Sequence, residues 1–466
     1  MIQTALNYAR YNPGTDLLFL EGIYDINTRL WGYGSTKIHG ELSVDGSLLA
    51  KLRLKNECGW TNQLSDTAMI VFSAQDDIEI YSLDFDGNSA NQSYVSEDPW
   101  NYPVWWGHGF HQGIYLPRST HINIHDCYFH NSLGDGVRGG AQTSYLNFYN
   151  NKCDTLGHEC LFVDGGPAGG HDVAAWGNNM TMRADGALRA DDTWNVHFYN
   201  NVITGSSSGN PGIQIGDHYG MCANIEIDHN TITRTPGPGI WMNDLSTSDM
   251  DKGVYIHDNI ISECGLHAGI TYNCGILINR FNGTLIENNQ ILDCYNAGIL
   301  CYNPYGTAGY NTITLQKNII TGTVETTATN PTYIKEWTGY AVVNALSDTT
   351  TVYEMANSLE NNINGEWFGT INHITLPEDP EEPEEPEDPY IPPADPGDWG
   401  ILLPSRGGQY RYVLYSVKIP PLGAKALVYP AHSGQYYLLR LAENASAGDE
   451  LIIINDTKGN QYLIST

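Results

Sequence analysis

The feature that most constrains this chain is a recurring phrase: Asn, then any residue, then an apolar one. It returns at Asn151, Asn179, Asn201, Asn230, Asn259, Asn289 and Asn318, lapsing once to Thr181, and Asp126 holds the equivalent first place. The spacings run from 22 to 30 residues. A second marker, Gly followed by an apolar residue, runs through Gly136, Gly186, Gly212, Gly239, Gly275 and Gly298, with Glu159 in the Gly place of one repeat. Between the markers lie strand-length runs such as IEIDHNTIT and turn residues, with no helix-length periodic segment. A near-fixed period above 20 built from short strands is the mark of a solenoid, in which neighbouring coils bury each other's apolar faces. An Asn in each tight turn can then bond the same Asn one coil away, about 4.8 Å distant. The expected fold is all-β: a right-handed parallel β-helix starting near Asp16, with MIQTALNYAR as a helical N-terminal cap over an otherwise open edge.

The repeats stop before Pro377. The next 22 residues, Pro377 to Asp398, hold eight Pro and ten acids, a composition that forms no core and extends as a self-repelling spacer of about 70 Å. Three parts follow: 1–376 as the β-helix, 377–398 as linker, and 399–466 as a small β-sandwich or barrel for binding, docking or oligomerisation. In that last part AKALVYP, QYYLLRL, ELIIIN and QYLI read as strands, with NDTKGN as a hairpin turn. The net charge of −31 argues against nucleic acid, since a phosphate-backbone binder needs a basic surface. No run approaches the roughly 20 apolar residues of a membrane span, so membrane insertion is not expected. The opening residues lack the plan of a signal peptide, which fits either a trimmed chain or a protein that leaves its cell by another route, such as inside a virion. Nine Cys, without CxxC or Cys/His spacing, point away from a disulfide framework and from a metal site, and Cys264 and Cys294 read as a stacked core row.

Chemistry is expected where the coils place polar residues in columns. The position before the Gly reads Asp135, His158 and Asp185 in successive repeats, an imidazole between two carboxylates that suits general acid/base work. Glu159 adjoins it, and Arg138, Arg183 and Arg189 fall in the same three repeats. Strict alternation from Gly186 points Arg189 inward, so that repeat must shift by one residue if Arg189 faces solvent. Five positions after the Gly, Asp164, Asp191, Asp217 and Asp244 form a row of one carboxylate per coil. Such a row suits acid and base carboxylates or oxygen ligation of Ca²⁺, although Asp also ends strands as an ordinary turn former. Trp100, Trp105 and Trp106 crowd a segment that interrupts the repeats, offering flat faces for sugar rings or a lid packed on the coil. The expected catalytic set is Asp135, Arg138, His158, Glu159, Asp164, Asp185, Arg189, Asp191 and Asp217. The expected substrate contacts are Trp100, Trp105, Trp106, Arg183, His218, Trp241 and Asp244. No cofactor is expected, Ca²⁺ aside.

The run DGALRADDTWNVHFYNNVITGSSSGNPGIQIG, with IEIDHNTITRTPGPGIWMND and GILINRFNGTLIENNQIL, resembles the β-helix proteins of methanogenic archaea called disaggregatases and their relatives. The resemblance implies cleavage of methanochondroitin, a cell-surface polymer of uronic acid and galactosamine, by lyase or glycoside hydrolase chemistry. The chain also looks like a viral tailspike, which implies a homotrimer attached to a virion. Other readings of the same features are a carbohydrate-binding adhesin or receptor-binding spike, and a uronate epimerase. Each takes an acidic polysaccharide outside the cell as partner, and fold alone does not choose among them.

Overall fold

The computed structural model describes residues 1–58, 68–92, 112–182, 186–205, 211–246, 251–266, 273–302, 311–325, 337–345 and 350–374, together with the backbone of six strands between 402 and 464. Residues 1–376 form one unit, a right-handed parallel β-helix with three long sheets of 13, 12 and 12 strands. One coil shows the plan: Thr193–Tyr199 lies in the first sheet, Val202–Thr204 in the second and Ile213–Asp217 in the third. Each strand pairs in parallel with its counterpart one coil away, so one residue of each coil stacks on one residue of the next.

The inward column of the first sheet reads Ile38, Ile80, Ile124, Phe148, Ala175, Phe198, Ile227, Ile256, Ile286 and Leu315, all shut off from solvent. At roughly 1.5–3 kcal/mol per large buried side chain, such columns supply the main drive for stacking. On the outward face of that sheet His39, Tyr81, His125, Tyr149, Trp176 and Tyr199 stack ring on ring, with centroids 4.5 to 5.5 Å apart.

The Asn repeat is a hydrogen-bonded ladder of eight residues: Asn151, Asn178, Asn201, Asn230, Asn259, Asn289, Asn318 and Asn357. Asn259 is typical. Its Nδ2 donates to Oδ1 of Asn289 at 2.9 Å and to the Ile227 carbonyl at 2.8 Å, and its backbone N–H also donates to Oδ1 of Asn289. The structure corrects two rungs. Asn178 stands in the ladder in place of Asn179, which brings Met180 into register with Ile203 and removes the lapse to Thr. Cys127 takes the first place in place of Asp126, since its N–H donates to Oδ1 of Asn151. Asp126 is instead the turn residue before the rung, with φ near 52°, as His229 and Asp258 are two further turns on the same edge.

The N-terminal helix, Ile2–Tyr11, buries Leu6 and Ala9 against the first coil. Gln3 completes the cap by exchanging two hydrogen bonds with the backbone of Trp31, a residue of the third sheet's terminal strand. Cys153 and Cys160 lie in disulfide contact, Cα atoms 5.9 Å apart, so one pair departs from the expectation of unbridged Cys. Cys264 and Cys294 are buried in the core. Among the described residues no helix is long and apolar enough to cross a membrane. In the second unit, Pro377–Thr466, a hairpin pairs Leu402–Pro404 with Tyr410–Tyr412. A four-strand antiparallel meander there runs Lys425–Val428, Tyr437–Leu441, Leu451–Asn455 and Gln461–Ile464.

Asn259→Ala removes one rung and leaves its buried partners unsatisfied, so it should cost roughly 2–3 kcal/mol. Asn224→Ala, on an exposed Asn pair whose backbone is left-handed with φ near 54°, should cost only about 1 kcal/mol. Urea unfolding followed by circular dichroism checks both.

Candidate functional site

The third sheet carries the candidate site, and its register decides which residues meet there. Val137, Leu161, Leu188, Ile213 and Ile240 pair in one inward column. Gly136 is therefore level with Cys160, Ala187 and Gly212, while Glu159 and Gly186 stand one place earlier, level with Asp135. The one-residue shift points Arg189 outward. Arg138, Phe162, Arg189, Gln214 and Trp241 form the outward column.

Phe162 lies between two guanidinium groups, Arg138 4.4 Å and Arg189 4.5 Å from its ring centre. Each arginine also reaches carboxylates. Arg189 Nε donates to both oxygens of Asp191 at 3.1 and 3.0 Å, and Nη2 donates to Oδ2 at 2.6 Å. Its Nη1 lies 3.5 Å from Glu159 Oε1. Arg138 makes longer contacts, 3.5 Å to Asp135 and 3.4 Å to Asp164. Asp164 and Asp191 are direct partners on adjacent coils. The Asp164 side chain is 41% exposed and that of Asp191 only 5%, which makes Asp164 the open carboxylate of the two. Gly216 gives Asp191 its space, because a Cβ there would stand 2.2 Å from Asp191 Oδ1.

Beside this tier, His158 is nearly buried. Its Nδ1 lies 2.5 Å from Asp135 Oδ1 and also contacts Glu159 Oε2. Burial pushes the Asp135 carboxyl up, but the His158 charge and hydrogen bond, with Arg138, outweigh it and hold the group below its ordinary range. Asp135, His158 and Glu159 offer ligand atoms within 4.8 Å of one another, a nitrogen-and-carboxylate set that suits a transition metal better than Ca²⁺. His158 lines an open groove of about 590 Å³ together with Arg138, Phe162, Asp164, Arg189 and Asp191, and Tyr115, Asp192, His218 and Tyr219 also border it. Asp192 accepts from the backbone N–H groups of His218 and Tyr219 at 2.7 and 2.9 Å.

The groove thus gathers Arg138, His158, Asp164, Arg189, Asp191 and His218, while Asp135 and Glu159 are buried and reach it only through His158 and the two arginines. The expected four-carboxylate row is not formed. Asp217 pairs with Asp244 in a different column, two residues beyond the inward Ile215 and Met242, so both point into the coil. There they flank Lys252, itself buried, which bonds Asp217 and lies 3.4 Å from Asp244. Burial raises the Asp244 carboxyl, and the Lys252 ammonium, lowered by burial, is raised more by Asp217. Asp217 also accepts from the N–H groups of Gly220 and Met221. The pair is structural, so the catalytic reading of Asp217 and the substrate contact at Asp244 are both corrected. Trp241 shares the outward column but packs on a second apolar cluster with Leu277, Leu300 and Trp337, two coils from Arg189. Asp185, Arg183, Trp100, Trp105 and Trp106 lie outside the described residues. Phe162, Asp192, Tyr115 and Tyr219 escape a column search. Phe162 reads as strand core in the run LFV, and only the doublet Asp191–Asp192 hints at a second acid there.

Residues 222–400 match the family model described as Disaggregatase related. Residues 68–252 match the right-handed beta helix region, and each match spans less than half of the chain. None of the curated proteins matches the sequence. Among solved structures, the family 28 exopolygalacturonase of Yersinia enterocolitica superposes with a TM-score of 0.52 at 11% identity, over 79% of this chain and 75% of that one. The exopolygalacturonase of Thermotoga maritima gives 0.43 at 10% identity, over 80% and 86% of the two chains. The mannuronan C-5 epimerase AlgE4 A-module of Azotobacter vinelandii gives 0.41 at 12% identity, over 81% and 95%. At these identities the likeness to the Yersinia enzyme is one of fold.

Two predictions follow from the charges. Lys252→Met leaves two carboxylates buried without their cation and should cost about 3–5 kcal/mol in urea unfolding. His218 lies 3.3 Å from Asp192, and that hydrogen bond raises the imidazole above 6.5 against the opposing effect of burial. Burial raises the Asp192 carboxyl, but its hydrogen bonds outweigh it and hold the group below 3.8. The contact therefore stabilises fully between those two ordinary values, weakening as pH rises through the raised His218 pKa or falls through the lowered Asp192 pKa. Nuclear magnetic resonance titration should place His218 above 6.5, and Asp192→Asn should bring it down.

Proposed function

We propose that the third-sheet groove binds and cleaves an acidic, uronate-containing polysaccharide by glycoside hydrolysis. The observation that carries this reading is the open tier Arg138–Phe162–Arg189 beside the paired carboxylates Asp164 and Asp191. A polymer laid across the coils meets a repeating wall, and the two guanidinium groups offer a planar match to a uronate carboxylate in a protein otherwise strongly acidic. Arg138 is the readier of the two, since its contacts of 3.4 and 3.5 Å are long for hydrogen bonds. Asp164, the open carboxylate, is placed to give a proton to the leaving glycosidic oxygen. Asp191, oriented by Arg189, is placed to act as the second carboxylate of the pair. The disaggregatase-related match supports a cell-surface polymer such as methanochondroitin as substrate, and a polygalacturonase of the same fold agrees with uronate chemistry. An extracellular, cell-surface or virion location belongs to the same proposal, because the polymer lies outside the cell.

A second reading rests on His158, whose Nδ1 is held by Asp135 and Glu159 at the groove wall. An imidazole so oriented could abstract the proton beside a uronate carboxylate, the first step of a lyase or an epimerase.

The test incubates the protein with methanogen cell-wall polysaccharide and with chondroitin, following reducing ends and ultraviolet absorbance together. Hydrolysis yields reducing ends without absorbance, and Asp164→Asn or Asp191→Asn should lower kcat by roughly 10²–10⁴-fold. A rise in absorbance that His158→Ala abolishes would replace hydrolase with lyase. Inverted uronate configuration at unchanged chain length would mean an epimerase. Binding without any product would make the groove a recognition surface.

A further inference from the structure

A second cluster of chemistry lies on the first sheet, a different face of the coil from the groove. His197 stands on one coil, Glu226 and Asp228 on the next, and His257 on the one after. His197 Nε2 lies 2.6 Å from Asp228 Oδ1 and 3.9 Å from Glu226 Oε2. His257 Nε2 approaches the same Glu226 carboxylate from the other side, 3.1 Å from Oε1. His229, in the turn beyond, places Nδ1 2.6 Å from Asp228 Oδ2. Two overlapping groups result, His197–Glu226–Asp228 and Asp228–His229–His257, each with ligand atoms within 4.8 Å of one another.

We propose that His197, Glu226, Asp228 and His257 form a binding site for a divalent transition-metal ion, of the Zn²⁺ type, that ties three successive coils together. Three observations separate this cluster from the other histidine–carboxylate contacts of the same sheet. Two imidazoles present the same atom, Nε2, to one shared carboxylate, Glu226, and His197 also meets Asp228. The Nδ1 of His257 is already taken by Asp258 at 2.8 Å, the carboxylate backing that orients a ligating imidazole. Both rings are held flat by tyrosines, Tyr199 against His197 at 4.2 Å and Tyr255 against His257 at 3.8 Å between ring centres. Ligands of a tetrahedral Zn²⁺ site stand about 3.3 Å apart, near the 2.6, 3.1 and 3.9 Å contacts found, and an ion must draw His197 and His257, which belong to two overlapping triads, toward the carboxylates between them. Two nitrogens with two carboxylates select zinc and its neighbours over Ca²⁺ or Mg²⁺, which prefer oxygen ligands throughout. Asp228 and His257 are nearly buried while Glu226 is 47% exposed, leaving the ion a way in. The sequence holds the trace of the site in IEIDHN and VYIHDN, where Asp–His and His–Asp occupy the same edge of consecutive coils.

The test strips the full chain with a chelator and titrates it with Zn²⁺ by calorimetry, then with Co²⁺ by visible absorption. In the His158→Ala background, which removes the groove cluster's imidazole, one equivalent should bind, with the spectrum of a nitrogen and oxygen site. His197→Ala and His257→Ala should each abolish it, Glu226→Gln on an exposed side chain should weaken it with the fold intact, and Asp258→Asn should weaken it about 10- to 100-fold. Absence of Zn²⁺ binding overturns the proposal, as does binding that survives both His197→Ala and His257→Ala. A thiolate charge-transfer band with Co²⁺ would assign the ion to cysteine and overturn it equally.

Discussion

Everything in this molecule depends on coils stacking in register at the spacing of a β-sheet. The Asn ladder enforces that register on one edge. Each buried amide joins a neighbouring side chain and main-chain groups at once, so a slip of one residue would leave several polar atoms buried without partners. The apolar columns supply the larger energy but tolerate exchange, as the succession of Ile, Phe and Ala in one column shows. Hydrogen bonding therefore defines the register, and apolar burial provides most of the drive.

Register in turn decides the chemistry. In a strand a shift of one residue exchanges the solvent face for the core. That rule separates Asp191, clamped by Arg189 in the groove, from Asp217, locked to Lys252 in the interior. The two look alike when counted from the nearest Gly. One lines the open groove and the other is part of the frame that supports it. Within a strongly acidic protein the groove concentrates two arginines on one tier, where Phe162 separates the guanidinium groups and keeps both in place.

The two histidine–carboxylate clusters use the same logic on different faces. In the groove, His158 is nearly buried between Asp135 and Glu159, which fixes its ring at the wall. On the first sheet, His197 and His257 converge on carboxylates from the coil between them. A solenoid makes such constellations readily, because any polar residue repeated at one turn position recurs about 4.8 Å away. What distinguishes a site from a mere row is convergence of specific atoms, and that depends on side-chain direction.

Much was legible from the chain alone. The solenoid, its helical cap and the neighbourhood of Asp135, His158, Glu159 and Arg189 follow from a repeat period and from residue types that turn chemistry does not require. Local pattern sufficed there because each coil contacts only its neighbours, so periodicity along the sequence maps directly onto adjacency in space. Tertiary structure alone decided the rest: that Asn178 and not Asn179 bears the ladder, that Asp217 and Asp244 face inward, and that Phe162 lies between two arginines. These are matters of single-residue register and of side-chain direction. Pairing across coils sets them through buried hydrogen bonds, whereas counting from a marker along the chain carries an uncertainty of one residue, enough to turn a side chain from solvent to core.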